Sequence, residues 1–582
     1  MPTYASPATF RPQVRGTRFM ASSAHHIATT AAMTILQNGG NAIDAGVAAG
    51  LCINVLEPDM TSLGGVAPII LYSARDDAVR VISGLGTWPQ AATREYFVEE
   101  CGGDIPPGVR RCVMPAAVDA WLTAVMQFGT QSLATVAAPA ISLAEHGFAM
   151  FEHLQHNIAE DAEALSRWPS TAAVFLPGGR VPQIGERFVQ KDVARTLRML
   201  VEAEESAANA GREKAIEAAR DRFYKGDIAE QIARFYQEED GFLTLDDLAS
   251  FHVDVEAPVG VNYRGYDVYS CGPWCQGPIV PASLAILNGY DVAAIPPQSV
   301  DYYHLIAEVL KAACADRHRY YGDPKFVDVP IRGLLNPAYG ATWQARIHMD
   351  AAEPGMPEPG NPWPFQGAPA VPYTDNYTAP EPFHADVERD TSYVCVVDDQ
   401  GNAFSATPSD GATGSPIVPG LGFLISNRGK QSWLEADHPS AIAPGKRPRL
   451  TPSPGLVMRD GRVYAAYGCP GNDAQPQAML QTLVNVIDYD MTPQAAIEAP
   501  RIISFSFPRS DHPHSYDPGL LMVEGRVPDD VVAELERRGH QVTRWPDWEP
   551  LAAAVCMAVV DDEHGVISGG SDPRRPTQAI AW

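Results

Sequence analysis

The stretch that decides the fold is Asp390-Thr391-Ser392-Tyr393-Val394-Cys395-Val396-Val397-Asp398, where a hydroxyl residue stands at the start of an alternating, strand-like run. Nine prolines fall between Pro354 and Pro382, so the chain reaches Thr391 through a segment that suits neither helix nor central strand. A precursor that cuts itself would place its scissile bond there. If the Asp390–Thr391 bond breaks, Thr391 gains an α-amine of pKa about 7.7 to 8.0 beside its own hydroxyl, so base and nucleophile share one residue. The alternative is an ordinary strand threonine, and this stretch alone leaves both open.

Length and charge narrow the class of protein. At 582 residues the chain exceeds the roughly 250 to 300 residues at which a single core stops growing, which predicts two lobes or one large layered domain. The formal net charge of -27 would repel a phosphate backbone and an anionic membrane surface alike. We therefore expect neither nucleic acid nor a membrane as a partner.

The first residues and the cysteines indicate a cytoplasmic protein. Residues 1–18 lack the basic and then apolar pattern of an export signal. The nine cysteines are scattered, with no short paired spacing except Cys271 and Cys275, which is typical of reduced, buried thiols.

Hydrophobic periodicity separates a mainly helical first part from a strand-rich second part. Residues 27–56 predict two helices, the first stopped by Gly39-Gly40 and the second capped by Asn41, and residues 115–320 are mostly helical in pattern. After Thr391 the pattern predicts strands at 393–397, 403–407, 423–426, 456–459, 463–467, 520–524 and 554–560, and helices at 475–489 and 493–499. This order of elements predicts a layered α+β or α/β sandwich.

A second candidate for chemistry is the turn Tyr467-Gly468-Cys469-Pro470-Gly471-Asn472-Asp473, between a predicted strand and a predicted helix. Amides at such a junction point outward with the helix dipole, which suits a developing oxyanion, although turns of this kind are also common structural features. Arg94 could bind a carboxylate in a bidentate manner, or be a surface ion-pair residue.

The sequence predicts no metal and no cofactor. It has no G-x-S-x-G, P-loop, H-E-x-x-H or G-x-G-x-x-G signature, and its histidine pairs resemble surface or loop residues more than a metal site. The nucleophile, the base and the oxyanion donors can all come from the chain.

Ordered motifs along nearly the whole chain resemble the γ-glutamyltranspeptidase superfamily of N-terminal nucleophile hydrolases. In the first half they are residues 35–45, Glu57-Pro58 with Gly64-Gly65, and a run from Ala307-Glu308 to Tyr321-Gly322-Asp323-Pro324. In the second half they are Val397-Asp398 with Gly401-Asn402-Ala403, Gly445-Lys446-Arg447-Pro448 and Ser571-Asp572-Pro573-Arg574.

The resemblance implies an α+β fold, a four-layer αββα sandwich made as a precursor that cuts itself before Thr391. The products would be a helix-rich large subunit, 1–390, ending in a proline-rich linker at about 344–390, and a small subunit, 391–582. A dimer of such heterodimers is left open. By the same resemblance Thr391 is the nucleophile, Ser409 the hydroxyl bonded to it, and Gly471 and Asn472 the oxyanion hole. Substrate binding is expected from Arg94, Asp410, Arg428 and Asp473.

The chain departs from γ-glutamyl enzymes at the position of the aspartate that holds the donor's amine, where it has Gln431. Leu450-Thr451 replaces a pair of serines, and Tyr393 stands where histidine is frequent. These departures resemble the acylase and amidohydrolase branch, which includes cephalosporin-acylase-like and oxamate-amidohydrolase-like proteins.

Our leading hypothesis is a self-processing amidohydrolase that cleaves an amide of a small, carboxylate-bearing acyl donor. The alternatives are a γ-glutamyltransferase or glutathione hydrolase, and a catalytically silent relative that acts as a scaffold.

Overall fold

The structure is a computed structural model that describes residues 9–367, 381–384 and 390–582. Much of the predicted proline-rich linker, residues 368–380 and 385–389, lies outside the described residues. No helix in the described ranges combines the length and the apolar character that a bilayer-crossing segment needs.

Two seven-stranded antiparallel sheets form the centre of the molecule. The first sheet has the strand order β19-β2-β10-β11-β3-β4-β7, where the strands are Gln578–Ala581, Met20–Ser23, Val394–Val397, Ala403–Ala406, Ile69–Ser73, Ala78–Ile82 and Val255–Glu256. The second has the order β1-β18-β17-β13-β12-β9-β8, where the strands are Val14–Gly16, Val566–Ser571, Cys556–Asp561, Arg462–Gly468, Gly455–Arg459, Tyr266–Ser270 and Val259–Tyr263. Two small sheets pair β14 (Ile502–Ser504), β15 (Leu520–Glu524) and β16 (Gln541–Trp545), and β5 (Phe148–Ala149) with β6 (Arg187–Phe188).

Nineteen α-helices lie in the described ranges, most of them before Thr391. They are α1 His26–Gln37, α2 Ala42–Leu56, α3 Arg94–Glu99, α4 Ala117–Phe128, α5 Leu133–His146, α6 Glu152–Glu160, α7 Ala162–Leu165, α8 Pro169–Phe175, α9 Lys191–Ser206, α10 Arg212–Tyr224, α11 Asp227–Glu238, α12 Leu245–Ser250, α13 Ile279–Leu287, α14 Val300–Tyr320, α15 Ile331–Leu334, α16 Pro337–Gln344, α17 Gln475–Ile487, α18 Pro493–Glu498 and α19 Asp529–Arg537.

Successive side chains along each central strand face different apolar cores, and the two sheets together line three such cores. This arrangement confirms the predicted αββα sandwich. In β10, Val394 and Val396 pack in the same core as the helices α1 and α2, whereas Cys395 and Val397 pack in the core between the two sheets. In β13, Ala466 faces that same inter-sheet core, and Tyr467 packs with the helix layer that contains α13, α14 and α17. Each sheet is therefore covered by helices on one face and by the other sheet on its second face.

The predicted helix pair at 27–56 is present, with Asn41 as the cap of the second helix. The Asn41 side chain accepts hydrogen bonds from the backbone N–H groups of Ile43 and Asp44, and the Asp44 carboxylate accepts one from Asn41 N. This reciprocal pair satisfies donors that the first turn of a helix otherwise leaves unpaired.

One predicted strand is wrong. Residues 423–426 form no strand and make only isolated bridges, between Leu424 and Ile417 and between Ile425 and Gly64. Their apolar side chains are buried in the core that contains the helices α1 and α2. The apolar run therefore reflects burial and not the backbone hydrogen bonding of a strand.

The alanine substitution at Gly46 tests the contact between α2 and the first sheet. A Cβ at Gly46 would lie 2.1 Å from Cδ1 of Phe404 on β11, a ring enclosed in the same core. We expect Gly46→Ala to destabilise the fold by about 1 to 3 kcal/mol through overpacking, measured as a lower thermal midpoint. Adding Phe404→Leu should recover part of the loss, with Phe404→Leu alone as the control. An unchanged midpoint in Gly46→Ala would contradict this packing.

Candidate active site

The pairing of β10 with β11 brings Thr391 beside Ser409. Val394 lies opposite Ala406, and continuing the same register beyond the strands places residue 391 opposite residue 409. The hydrogen bond from Ser392 N to Pro408 O, at 2.9 Å, continues the ladder. Thr391 Oγ1 lies 2.6 Å from Ser409 Oγ, and both residues are buried.

The backbone at Thr391 is strained next to the predicted scissile bond. Thr391 has a φ of 97°, which is sterically unfavourable for a β-branched residue. Such conformations cost about 1 to 3 kcal/mol and persist only where the surroundings impose them. Here Thr391 N donates a 3.0 Å hydrogen bond to Met60 O, which helps hold the backbone in place.

A chain of hydrogen bonds runs through Thr391, the predicted nucleophile. Arg428 Nη2 donates to Ser409 Oγ, which leaves the Ser409 hydroxyl proton to donate to Thr391 Oγ1. The Thr391 hydroxyl in turn lies 3.0 Å from Asp390 Oδ1, the acceptor at the end of the chain.

Two buried cations hold the Asp390 carboxylate. Arg428 Nη2 lies 3.0 Å and Lys430 Nζ 3.2 Å from Asp390 Oδ2. Burial alone would raise the pKa of Asp390, but the charges of Arg428 and Lys430 outweigh it and hold the pKa below its ordinary value. Asp390 is therefore an ionised carboxylate at neutral pH.

Asp410 lies on the other side of Arg428. Its Oδ1 is 3.5 Å from Arg428 Nε and accepts a 3.0 Å hydrogen bond from Asn427 N. Burial raises the pKa of Asp410 to about 6, against the opposing charge of Arg428. Like Thr391, Asp410 has a positive φ, of 115°. The structure thus brings Asp410 and Arg428, two of the predicted substrate-binding residues, to the Thr391 pair.

The predicted oxyanion turn lies between β13 and α17, as the sequence suggested. Gly471 has a φ of 132° and Asn472 a φ of 49°, and a Cβ at Gly471 would lie 2.8 Å from the Ala553 side chain. Gln276 Nε2 donates to Asn472 O at 2.8 Å, and Asn472 Nδ2 donates to Asp511 Oδ2 at 2.9 Å. Asp511 Oδ2 is also 3.2 Å from Lys430 Nζ, so the turn is joined to the ion cluster around Asp390.

Asp473 lies behind this turn. Its carboxylate accepts hydrogen bonds from Ser510 N at 2.8 Å and Ser510 Oγ at 2.7 Å, and it forms a buried ion pair with Arg317 of α14. These contacts are those of a residue that holds the turn in place. The predicted substrate-binding role of Asp473 stays a prediction.

Arg94 is not brought to the cluster by any contact in the described ranges. It begins helix α3, and its Nε lies 3.8 Å from the carboxylate of the adjacent, exposed Glu95. A quarter of its side chain is exposed, so its role as a carboxylate-binding residue also stays a prediction.

Sequence reasoning missed Lys430, Asp511 and the function of Gln431. Gln431 Nε2 donates to Thr451 Oγ1 at 2.8 Å and to Asp511 Oδ1 at 2.7 Å, and Gln431 Oε1 accepts from Thr451 N at 3.0 Å. Lys430 stands two residues after Arg428, a predicted site residue, and both lie in the 3-10 turn Arg428–Gln431; this closeness in sequence was the signal for Lys430. Asp511 carries no motif that could have identified it.

Within residues 9–367, 381–384 and 390–582, one group of side chains away from this site has donor atoms that could hold a metal. Ligand atoms of His304, Glu308 and His540 lie within 4.8 Å of one another. However, His304 Nδ1 and His540 Nε2 are hydrogen-bonded to each other at 2.9 Å, and the Lys311 ammonium lies 2.6 Å from Glu308 Oε1. The two histidines are thus paired with each other and the Glu308 carboxylate with an ammonium group, and the expectation of no metal stays a prediction.

Comparison with known proteins shows the family of the chain. The family model described as gamma-glutamyltranspeptidase matches residues 28–582. The chain is 32% identical to the glutathione hydrolase-like YwrD proenzyme of Bacillus subtilis (strain 168), over 97% of this chain and 99% of that protein. It is also 32% identical to the acylase ACY 1 proenzyme of Pseudomonas sp. (strain SE83), over 96% of this chain and 92% of that protein.

A solved structure supports the same assignment. The cephalosporin acylase from Bacillus halodurans has a TM-score of 0.84 and 28% identity, covering 100% of this chain and 99% of that one. The predicted resemblance is confirmed, and the chain belongs to the gamma-glutamyltranspeptidase family of hydrolases and acyltransferases.

Proposed function

We propose that the chain cuts itself between Asp390 and Thr391 and that the new N-terminal Thr391 hydrolyses the amide bond of a small, carboxylate-bearing acyl donor. The observation that carries the proposal is the strained Thr391, with its Oγ1 2.6 Å from Ser409 Oγ and 3.0 Å from Asp390 Oδ1. Similarity to an acylase proenzyme supports both the amide chemistry and the processing.

The mechanism uses only groups of the chain. In the uncut chain the nitrogen of Thr391 is an amide, so the Asp390 carboxylate is the group placed to take the hydroxyl proton during self-cleavage. After cleavage the free α-amine takes the hydroxyl proton, and Thr391 Oγ1 attacks the substrate carbonyl. The amide C–N bond then breaks, the α-amine passes the proton to the amine that leaves, and an acyl-threonine ester remains. The turn at Gly471 and Asn472 stabilises the oxyanion, and water releases the acid.

The proposed products are a large subunit, 1–390, and a small subunit, 391–582. Both subunits would contribute strands to the first sheet, where β10 lies between β2 of the large subunit and β11 of the small one. The same sheet also places β19 of the small subunit against β2. Ladders between the subunits would keep them together after the cut.

The alternative is a γ-glutamyltransferase or glutathione hydrolase, and similarity to the YwrD proenzyme keeps it open. At the position of the family's amine-binding aspartate, Gln431 is engaged by Thr451 and Asp511. The nearby Asp511 carboxylate already pairs with the Lys430 ammonium. These contacts favour a donor without an α-ammonium group.

We also propose a cytoplasmic location. The nine cysteines are free thiols, and eight of them are buried. Reduced, buried thiols suit a reducing compartment.

Thr391→Ala tests the nucleophile. The variant should stay a single chain of 62.8 kDa and lose at least about 1000-fold in turnover, because it lacks the hydroxyl that both steps need. Intact mass and amidase assays measure this, and Thr391→Ser, which keeps a hydroxyl, is the matched control and should still be cut. Normal processing of Thr391→Ala would contradict the mechanism.

Arg94→Ala tests the predicted carboxylate contact. If Arg94 binds the donor, KM should rise about 10-fold for carboxylate-bearing amides and stay unchanged for uncharged ones, because one charge-assisted contact is lost. Steady-state kinetics on both donor types measure this. An equal loss for both types would show that Arg94 is structural.

Transfer to glycylglycine separates the two candidate activities. A γ-glutamyl donor with glycylglycine present should give no transfer product if the donor site lacks an amine-binding carboxylate, as the Gln431 contacts indicate. Chromatography of the products measures this, and efficient transfer would favour the alternative.

A further inference from the structure

Asp390, the residue before the scissile bond, supplies the first acyl group that becomes bonded to Thr391. In the self-cleavage of the proposed function, on which this inference rests, Thr391 Oγ1 bonds to the carbonyl carbon of Asp390 and the bond from that carbon to Thr391 N breaks. The hydroxyl proton passes through the Asp390 carboxylate to the leaving nitrogen. Water then adds its hydroxyl to the same carbon, and its other proton returns to Thr391 Oγ1. For one turnover Asp390 is the acyl part of an acyl-threonine ester.

The carboxylate of Asp390 lies between two cationic side chains, as a bound anionic ligand would. Asp390 is 2% exposed, and its Oδ2 lies 3.0 Å from Arg428 Nη2 and 3.2 Å from Lys430 Nζ. Both cationic side chains are buried, so the attraction is weakly screened by solvent. Two buried cations that converge on one carboxylate form a specific anion site.

Both cations stay in place after the cut, because residues 428 and 430 belong to the small subunit. Hydrolysis makes Asp390 the carboxyl end of the large subunit, no longer bonded to Thr391. Arg428 then keeps Asp410 at 3.5 Å and Lys430 keeps Asp511 at 3.2 Å. A substrate carboxylate in place of that of Asp390 would regain the two contacts of the uncut site, to Arg428 Nη2 and to Lys430 Nζ.

We propose that the mature enzyme prefers acyl donors that reproduce Asp390, namely monoamides of succinic acid, with Arg428 and Lys430 binding the free carboxylate. In Asp390 two carbon atoms, Cα and Cβ, separate the main-chain carbonyl from the carboxylate, as in a succinyl group. A malonyl or a glutaryl group would move the carboxylate by one carbon–carbon bond, about 1.5 Å, relative to both cations.

A panel of para-nitroanilides tests the spacing. We expect wild-type kcat/KM for the succinyl anilide to exceed that for the malonyl, glutaryl and uncharged butyryl anilides by at least about 10-fold. Lys430→Met should raise KM for the succinyl anilide by about 10-fold and spare the butyryl anilide. Lys325→Met, at an exposed lysine paired with Asp254, is the matched control and should behave as wild type.

A second measurement, on the wild-type enzyme, covers the case in which Lys430→Met is not cut. Free succinate should inhibit mature wild-type enzyme competitively, and butyrate should not.

Three outcomes would overturn the inference: equal kcat/KM for the butyryl and succinyl anilides, a preference for another spacing, or loss of the carboxylate preference in Arg94→Ala but not in Lys430→Met. A wild-type chain that stays uncut and hydrolyses none of the anilides would instead overturn the proposed function. Intact mass, recorded with every kinetic assay, separates the two failures.

Discussion

The antiparallel pairing of β10 with β11 is the constraint on which the site depends. It places Thr391 opposite Ser409, and it sits in the middle of the first sheet, between β2 and β3. Every side chain of β10 is buried, in one core or the other. A slip of one residue would exchange the two faces, so the apolar alternation that builds the sandwich also fixes the position of Thr391, the proposed nucleophile.

Around Thr391 and Ser409 the chain buries charged side chains whose desolvation would destabilise the fold if they had no partners. Asp390, Arg428 and Asp410 are fully buried, and Lys430 links them to Asp511 and to the predicted oxyanion turn. Buried ions are tolerated when they are paired. Removing one partner destabilises the fold because it leaves an uncompensated buried charge. Because Asp390 is also the residue at the predicted cut, the cluster that holds Asp390 in the uncut chain is the one that we propose binds the substrate after the cut.

The layered architecture explains how the two parts of the chain could stay associated after a cut between residues 390 and 391. The first sheet takes strands from both sides of residue 390, and the inter-sheet core joins Cys395 of β10 to residues of the second sheet such as Cys556. The strain at Thr391 is therefore imposed by a framework that does not need the 390–391 peptide bond. Cleavage can relieve that strain while the surrounding contacts remain.

By itself the sequence determined the features that rest on local pattern. The alternating run after Thr391 predicted β10, Asn41 predicted the cap of α2, and the turn at Gly471 predicted the junction of β13 with α17. The family motifs predicted the four layers. Where the pattern reported burial alone, as at residues 423–426, it predicted a strand that the chain does not form.

Only the tertiary structure decided which polar side chains share the site. Lys430 meets Asp390 across 40 residues, Gln431 meets Asp511 across 80, and Arg317 meets Asp473 across 156. Periodicity reports the face on which a residue lies, within one element, and it holds no information on which distant element will lie opposite. Buried charges need partners at hydrogen-bond distance, and those partners come from the packing of whole layers. The sequence therefore pointed to Asp390, Asp410 and Arg428 one by one, but it did not predict that they form a single cluster with Lys430 and Asp511.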